Sequence, residues 1–326
     1  MPAIAVARID REGKLTTDCA SVEPQARFLT GSVGKMFTAA AALALVADGK
    51  LDLDAPIATW LGNERWFAHL PHRDAITPRM LLSHTAGVAD HRESAEFASA
   101  LRAAFTATPP NRDLHFPPQQ LVGFALEATP THEPATAYSY SETGYILVGM
   151  IVERASGERL VDFVQKRFLD PLALRDTIAA TRRDIPLLVN GRIGPNPIGL
   201  PTWCLDGARL AFNPASEWAG GGYAATAADT ARWAWLLFKG KVLPTAQNAA
   251  MITPPFGIRE RPVRYGLGCY LWTTKHGDAY GHTGEAPGYR SIAAYFPERQ
   301  SAIAILVNSS MEPRELMHEL LERIGP

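Results

Sequence analysis

Strand-like segments stand at the two ends of this chain, and the long stretch between them carries helical periodicity broken by prolines. Ile4-Ala5-Val6-Ala7-Arg8-Ile9, a turn over Asp10 to Gly13, and Lys14-Leu15-Thr16-Thr17 form the pattern of an opening β-hairpin. From Pro56 to about Leu210 the pattern is helical, with Gln119 to Ala128, Tyr145 to Ser156 and Leu160 to Leu169 the clearest helices, and Pro186 to Pro201 an irregular crossing. Another helix is expected over Ala227 to Lys239. Strand signals then return at Tyr265 to Thr273, Ala279 to His282, Tyr289 to Phe296 and Ser301 to Val307, and Glu312 to Ile324 closes the chain as a helix. Short turns such as Pro297-Glu298-Arg299 make these strands antiparallel neighbours. The expected fold is α+β: one antiparallel sheet built from both ends of the chain and flanked by helices. Residues 1–60 and 211–326 would form that sheet domain, and residues 61–210 a mostly helical insertion.

The bulk chemistry narrows the function classes. The chain has 326 residues, 47% of them apolar, enough for a sizeable core, and a net charge of −1. No basic field exists to hold nucleic acid or an anionic membrane surface. The first ten residues have no positive n-region and no long apolar core, so no signal peptide is expected, and no apolar run reaches the ~20 residues of a membrane span. Cys19, Cys204 and Cys269 are odd in number and far apart, which argues against a disulfide framework and for a reducing, cytoplasmic setting. No Cys or His spacing suggests a metal site. Ser83-His84 has the look of half a triad, yet sequence neighbours rarely meet as nucleophile and base. His69, His72, His91, His115 and His132 are expected in loops, and Trp233 and Trp235 in the core.

Chemistry gathers in three places. In Ser32-Val33-Gly34-Lys35 a Ser precedes a Lys by three residues, where extended Arg27 to Gly31 turns into a helix running from about Val33 to Ala47. Side chains at that spacing share one face of the first turn, among its free N–H groups. That suits a nucleophilic hydroxyl with an amine beside it. A phosphate-binding loop is excluded, because Leu29 stands where a Gly is needed and Met36 where a Ser or Thr is needed. The second place is Tyr138-Ser139-Tyr140-Ser141-Glu142-Thr143-Gly144-Tyr145, entering a helix. The third is Gly281-His282-Thr283-Gly284-Glu285-Ala286-Pro287-Gly288-Tyr289, on a late strand and its turn.

In this order, Ser-x-x-Lys, then Tyr-Ser-x, then His-Thr-Gly, the chain resembles the serine β-lactamase and penicillin-binding-protein superfamily. The likeness is to its class C branch, with the related esterases, D-amino-acid peptidases and acyltransferases. Phe28 to Asp54, Ile76 to Val88, Tyr140 to Gly149, Asp170 to Thr177, Gly220 to Asp229 and Tyr280 to Ser291 carry it over nearly the whole chain. The resemblance implies a β-lactamase/transpeptidase-like fold and an acyl-enzyme on Ser32, with no metal or cofactor. Lys35 would lower the pKa of the Ser32 hydroxyl or accept its proton. Tyr140 would act as base toward Ser32 and acid toward the leaving group. The backbone N–H groups of Ser32 and Glu285 would hold the oxyanion, and Glu142, His282, Thr283 and Gly284 would line the substrate. Lys and Tyr have unperturbed pKa values of ~10.4 and ~10, so either must be shifted down to serve as base. Which one does so stays open at this level.

Two residues depart from the family pattern. Its Tyr motif usually ends in Asn, and Glu142 stands there. An ionised carboxylate cannot donate; it would pair with Lys35, or receive a cationic group of the substrate, or turn to solvent. Many members carry Lys where His282 stands, and a mostly neutral His is poorly matched to a substrate carboxylate. The expected function is therefore a serine hydrolase acting on a small ester, amide or D-amino-acid peptide. The alternatives are an acyltransferase, a β-lactamase or D-Ala-D-Ala carboxypeptidase, and a catalytically impaired binding protein. The expected partner is a small acyl substrate.

Overall fold

The computed structural model describes residues 2–255, 264–311, 313 and 315–326. Its strands are β1 (Ile4–Ile9), β2 (Leu15–Ala20), β3 (Phe28–Leu29), β4 (Ile178–Ala179), β5 (Leu205–Asp206), β6 (Arg209–Leu210) and β7 (Tyr223–Ala225). They continue with β8 (Arg264–Tyr265), β9 (Tyr270–Thr274), β10 (Gly277–Ala286), β11 (Tyr289–Phe296) and β12 (Ser301–Val307). The main sheet runs β2-β1-β12-β11-β10-β9-β8, antiparallel throughout. The first and last strands of the chain thus pair side by side, Ile4 opposite Val307. The fold is α+β and β-lactamase/transpeptidase-like.

Every residue of β11 and β12 is buried, because both faces of the sheet are covered. Ile292, Ala294, Phe296, Ile303, Ile305 and Val307 pack under Met317 and Leu321 of the closing helix Leu316–Ile324. The alternate residues face the helix Ala227–Phe238 on the other side. Two covered faces remove the polar half of the usual alternation, so these strands appear as continuous apolar runs.

The expected strand Tyr265 to Thr273 is two strands. Gly266-Leu267-Gly268-Cys269 forms a tight turn between β8 and β9, closed by Gly266 N–H donating to Cys269 O at 2.8 Å. Gly266 and Gly268 punctuate the run. Of the closing helix, Glu312 lies outside the described residues, and the described helix begins at Leu316.

Between the sheet-forming ends, the helix Glu142–Ser156 is buried along eleven consecutive residues and packs on Lys35–Ala47, Pro118–Leu126 and Pro78–Leu82. A helix that is apolar all round belongs inside a core, and this one brings its N-terminal residue, Glu142, to the start of the Lys35 helix. The middle stretch also contributes β4, which joins β7 and β3 in a small second sheet beside the turn Gly31–Gly34. Among the described residues no helix is long and apolar enough to cross a membrane, and all three cysteines are free.

Candidate active site

Ser32 does not open an α-helix. Gly31–Gly34 is a single 3-10 turn, and the α-helix begins at Lys35. The tighter turn still places the two side chains together: Lys35 Nζ donates to Ser32 Oγ at 3.2 Å. The turn is held from two sides. Thr30 N–H donates to Tyr223 O at 3.0 Å, and Ser291 Oγ donates to Thr30 O at 2.6 Å, which ties the turn to β7 and β11. Gly31 has φ +52, and a Cβ there would lie 2.6 Å from the Glu285 backbone nitrogen. Only glycine permits that backbone and that approach of β10. The strand carrying Thr283, Gly284 and Glu285 thereby runs directly beside the half-buried Ser32.

Tyr140 stands just before the Glu142 helix, and its OH donates to Ser32 Oγ at 2.9 Å. Its ring rests on His84, with centroids 4.1 Å apart. Ser141, at the N-cap, accepts from Gly144 N–H at 3.2 Å, and its own N–H donates to His84 Nδ1 at 3.1 Å. His84 therefore fixes both the ring and the backbone of the Tyr motif.

Glu142 is 5% exposed and does not face solvent. Its Oε2 accepts from Lys35 Nζ at 2.5 Å, and its Oε1 accepts from Ser32 Oγ at 3.3 Å. Lys35, fully buried, gives its third N–H to Gly220 O at 2.6 Å, and Nζ lies over the rings of Tyr140 and Tyr145 at 5.0 and 5.2 Å. Burial pulls the Lys35 pKa below its ordinary value although Glu142 pushes it up. Burial pushes the Glu142 pKa up, but the charges of Lys35 and Arg92 outweigh it and hold the carboxyl below the ordinary range. The low Glu142 pKa keeps the carboxylate ionised at neutral pH, and the three acceptors around Lys35 Nζ match an ammonium. Burial, and then the negative charge of Glu142, pushes the Tyr140 phenol well above its usual value.

His282 is 1% exposed and both its ring nitrogens are taken. Nδ1 lies 2.5 Å from Thr283 O, so it carries the proton, and Nε2 accepts from Tyr265 OH at 2.9 Å. Burial, assisted by the charge of Lys35, pushes its pKa down to about 3. Its ring forms part of the cleft wall, but it has neither a charge nor a free N–H to offer a substrate. A mostly neutral His lining the cleft is what the sequence leads one to expect. His91, expected in a loop, is buried, and its Nδ1 lies 3.0 Å from Thr143 Oγ1 at the base of the Glu142 helix.

Three residues to which the sequence reading assigned no role border this cluster, with His84 beside them. Asp90 Oδ2 accepts from Glu142 N–H at 3.1 Å, Arg92 Nη1 lies 3.7 Å from Glu142 Oε1, and Glu217 feels both Arg92 and Glu142. His84, which the sequence marks only by its place beside Ser83, supports Tyr140 and Ser141 rather than pairing with Ser83 as a base. Asp90, Arg92 and Glu217 carry no sequence signal, being loop charges until packing brings them here.

The cluster opens into a cleft of about 630 Å³ lined by Ser32, Tyr138, Tyr140, Tyr270, Thr283 and Glu285, among others. Arg290 at its wall pairs with Glu285 at 3.0 Å. Among the described residues, no cluster of three His, Cys, Asp or Glu side chains is arranged to hold a metal ion.

A fold of this kind, with a Ser, Lys and Tyr converging beside a sheet edge, defines a class, and sequence comparison supplies the family. The Beta-lactamase family matches residues 1–323, and the chain belongs to it. Penicillin-binding protein 4 of Amycolatopsis lactamdurans is 27% identical over 317 residues, which span 90% of this chain and 77% of that protein. Lovastatin esterase of Penicillium rubens is 30% identical over 168 residues, 47% of this chain and 40% of the esterase. The crystal structure of a D-stereospecific amidohydrolase from Streptomyces sp. superposes with a TM-score of 0.84 at 26% identity, covering 100% of this chain and 94% of the other.

Proposed function

We propose that this protein is a serine hydrolase that forms an acyl-enzyme on Ser32 and acts on a small ester, amide or D-amino-acid peptide. One observation carries the reading: Ser32 Oγ, at the mouth of the cleft, receives hydrogen bonds from Tyr140 OH at 2.9 Å and Lys35 Nζ at 3.2 Å. Two donors on one hydroxyl stabilise the charge it gains on losing its proton. The acyl oxygen would sit between the N–H groups of Ser32 and Glu285; the approach of these segments, which the glycine at position 31 permits, supports that reading. Each such donor is worth about 3–4 kcal/mol in the barrier. Thr283 and Gly284 form the edge along which the acyl part lies. The neutral, fully engaged His282 disfavours substrates held by a free carboxylate, so penicillins and D-Ala-D-Ala termini rank below esters and simple amides. The esterase and amidohydrolase relatives support that ranking.

The test is covalent labelling. A fluorophosphonate should modify Ser32 within minutes, and Ser32→Ala should abolish the modification. A wild-type protein that is never labelled removes the hydrolase reading and leaves a binding protein. Turnover of an aryl ester with and without an added acceptor alcohol separates hydrolysis from acyl transfer.

A further inference from the structure

Within the proposed hydrolase, the hydrogen bonds around Ser32 fit one placement of protons. Lys35 Nζ faces three acceptors, Ser32 Oγ, Glu142 Oε2 and Gly220 O, which is what an ammonium with three N–H bonds satisfies. Tyr140 OH points its proton at Ser32 Oγ. The oxygen of Ser32 thus accepts twice, and its own hydrogen is directed at Glu142 Oε1, 3.3 Å away. In this arrangement neither Lys35 nor Tyr140 has room for another proton. The carboxylate does.

We propose that Glu142 is the general base of acylation, taking the Ser32 proton on Oε1, while Lys35 and Tyr140 serve as fixed donors. The inference rests on the serine-hydrolase reading. As Ser32 Oγ forms its bond to the acyl carbon, the O–H bond breaks and the proton passes to Glu142. The carbonyl π pair moves to the acyl oxygen. One negative charge leaves the carboxylate and one appears on the oxyanion, so the buried site keeps its net charge and Lys35 stays cationic beside both. When the bond from carbon to the leaving oxygen or nitrogen breaks, the proton goes to that atom. The carboxylate is restored and acyl-Ser32 remains. Water enters by the same steps in reverse.

The surroundings keep Glu142 available as an anion. It is the first residue of the helix Glu142–Ser156, whose N-terminal end favours negative charge. The cations Lys35 and Arg92 face it. The groups opposing it are Asp90 and Glu217, while the phenol of Tyr140 and the rings of His91 and His282 are kept uncharged mainly by burial. Burial, before the charge of Glu142, raises the pKa values of Asp90 and Glu217, which limits their repulsion.

The probe is p-nitrophenyl acetate, whose leaving group needs no proton, so the acylation burst reports Ser32 deprotonation alone. In wild-type protein the burst rate should be flat from about pH 6 to 9 and fall only in acid, with its limb at or below the ordinary carboxylate range. Glu142→Gln should slow the burst by at least ~10²-fold near neutrality, with the residual rate rising as pH increases and Lys35 sheds its proton. Should Glu142→Gln fail to fold, Glu142→Asp keeps the charge on Lys35 while drawing the oxygen back from Ser32, and a loss of at least ~10-fold with an unchanged acid limb is expected. A wild-type rate that climbs steadily above neutrality, or a Gln or Asp variant as fast as wild type, overturns the proposal. A protein that neither releases p-nitrophenolate nor takes a fluorophosphonate at Ser32, or one whose reaction survives Ser32→Ala, overturns the hydrolase reading instead.

Discussion

Lys35 is fully buried, and an ammonium is tolerated there because three acceptors surround it, one of them the Glu142 carboxylate. A buried pair of this kind contributes little net stability while intact, but losing one partner costs about 3–5 kcal/mol. Its value lies in positioning. The same holds for His84, whose ring supports Tyr140 and whose Nδ1 receives the Ser141 N–H. His84→Ala removes the ring and strands a buried donor, and the expected loss is about 3 kcal/mol of unfolding free energy with slower Ser32 labelling. His84→Phe should recover part of the stability by refilling the space. Equal urea midpoints for wild type and His84→Ala would contradict this account. The sequence shows the identities of Ser32, Lys35, Tyr140 and Glu142, because local spacing and motif order mark them. It does not show His84 or the carbonyl of Gly220 as their partners, since these come from segments far along the chain and are joined to the cluster only by packing.

At the scale of elements, the site is a meeting of one turn, one helix end and one strand edge. The turn Gly31–Gly34 and strand β10 touch backbone to backbone at Gly31 and Glu285. Gly31→Ala would add a Cβ 2.5 to 2.7 Å from the Glu285 backbone atoms at a positive φ. A non-glycine residue in that conformation costs about 1–2 kcal/mol before any clash, and here the obstructing atoms are main chain and cannot rotate away. The variant should melt earlier and label at Ser32 at least ~10-fold more slowly, the latter because the two N–H groups proposed for the oxyanion are pushed apart. Labelling at the wild-type rate would show that the strand is not needed there. The hairpin β1–β2, the strands β11 and β12 and the Glu142 helix follow from their apolar patterns. The short β3, β4 and β7 and the split between β8 and β9 do not, because two- and three-residue strands carry too few side chains to show a period.

Across the whole molecule, packing sets the protonation of the histidines. Burial, before any charge effect, pushes His91 down to about 4 and His282 to about 3, so the folded state holds both neutral. The unfolded chain would protonate them below about pH 6.5. A group whose folded pKa lies under its unfolded value contributes stability that fades as pH falls through that interval. For His282 the window runs from about 6.5 down to about 3, and its effect is on the order of a few kcal/mol. His282→Gln keeps an acceptor for Tyr265 and removes the titration. Thermal melts should show wild type losing more stability than the variant between neutral pH and about pH 4; parallel curves would contradict the burial argument.

The sequence by itself determined the order of the chemical groups, the sheet shared by the two ends of the chain, and the three-residue spacing that puts Lys35 on Ser32. Those are properties of neighbouring residues and of apolar patterns, which physics enforces locally. Only the tertiary structure decided where the charges and protons sit: Glu142 closed onto Lys35 rather than turned to solvent, His282 locked neutral between Thr283 and Tyr265, and the Ser32 hydroxyl aimed at a carboxylate. The reason is that protonation depends on burial and on charges arriving from distant segments, and neither is written in the spacing of any one motif.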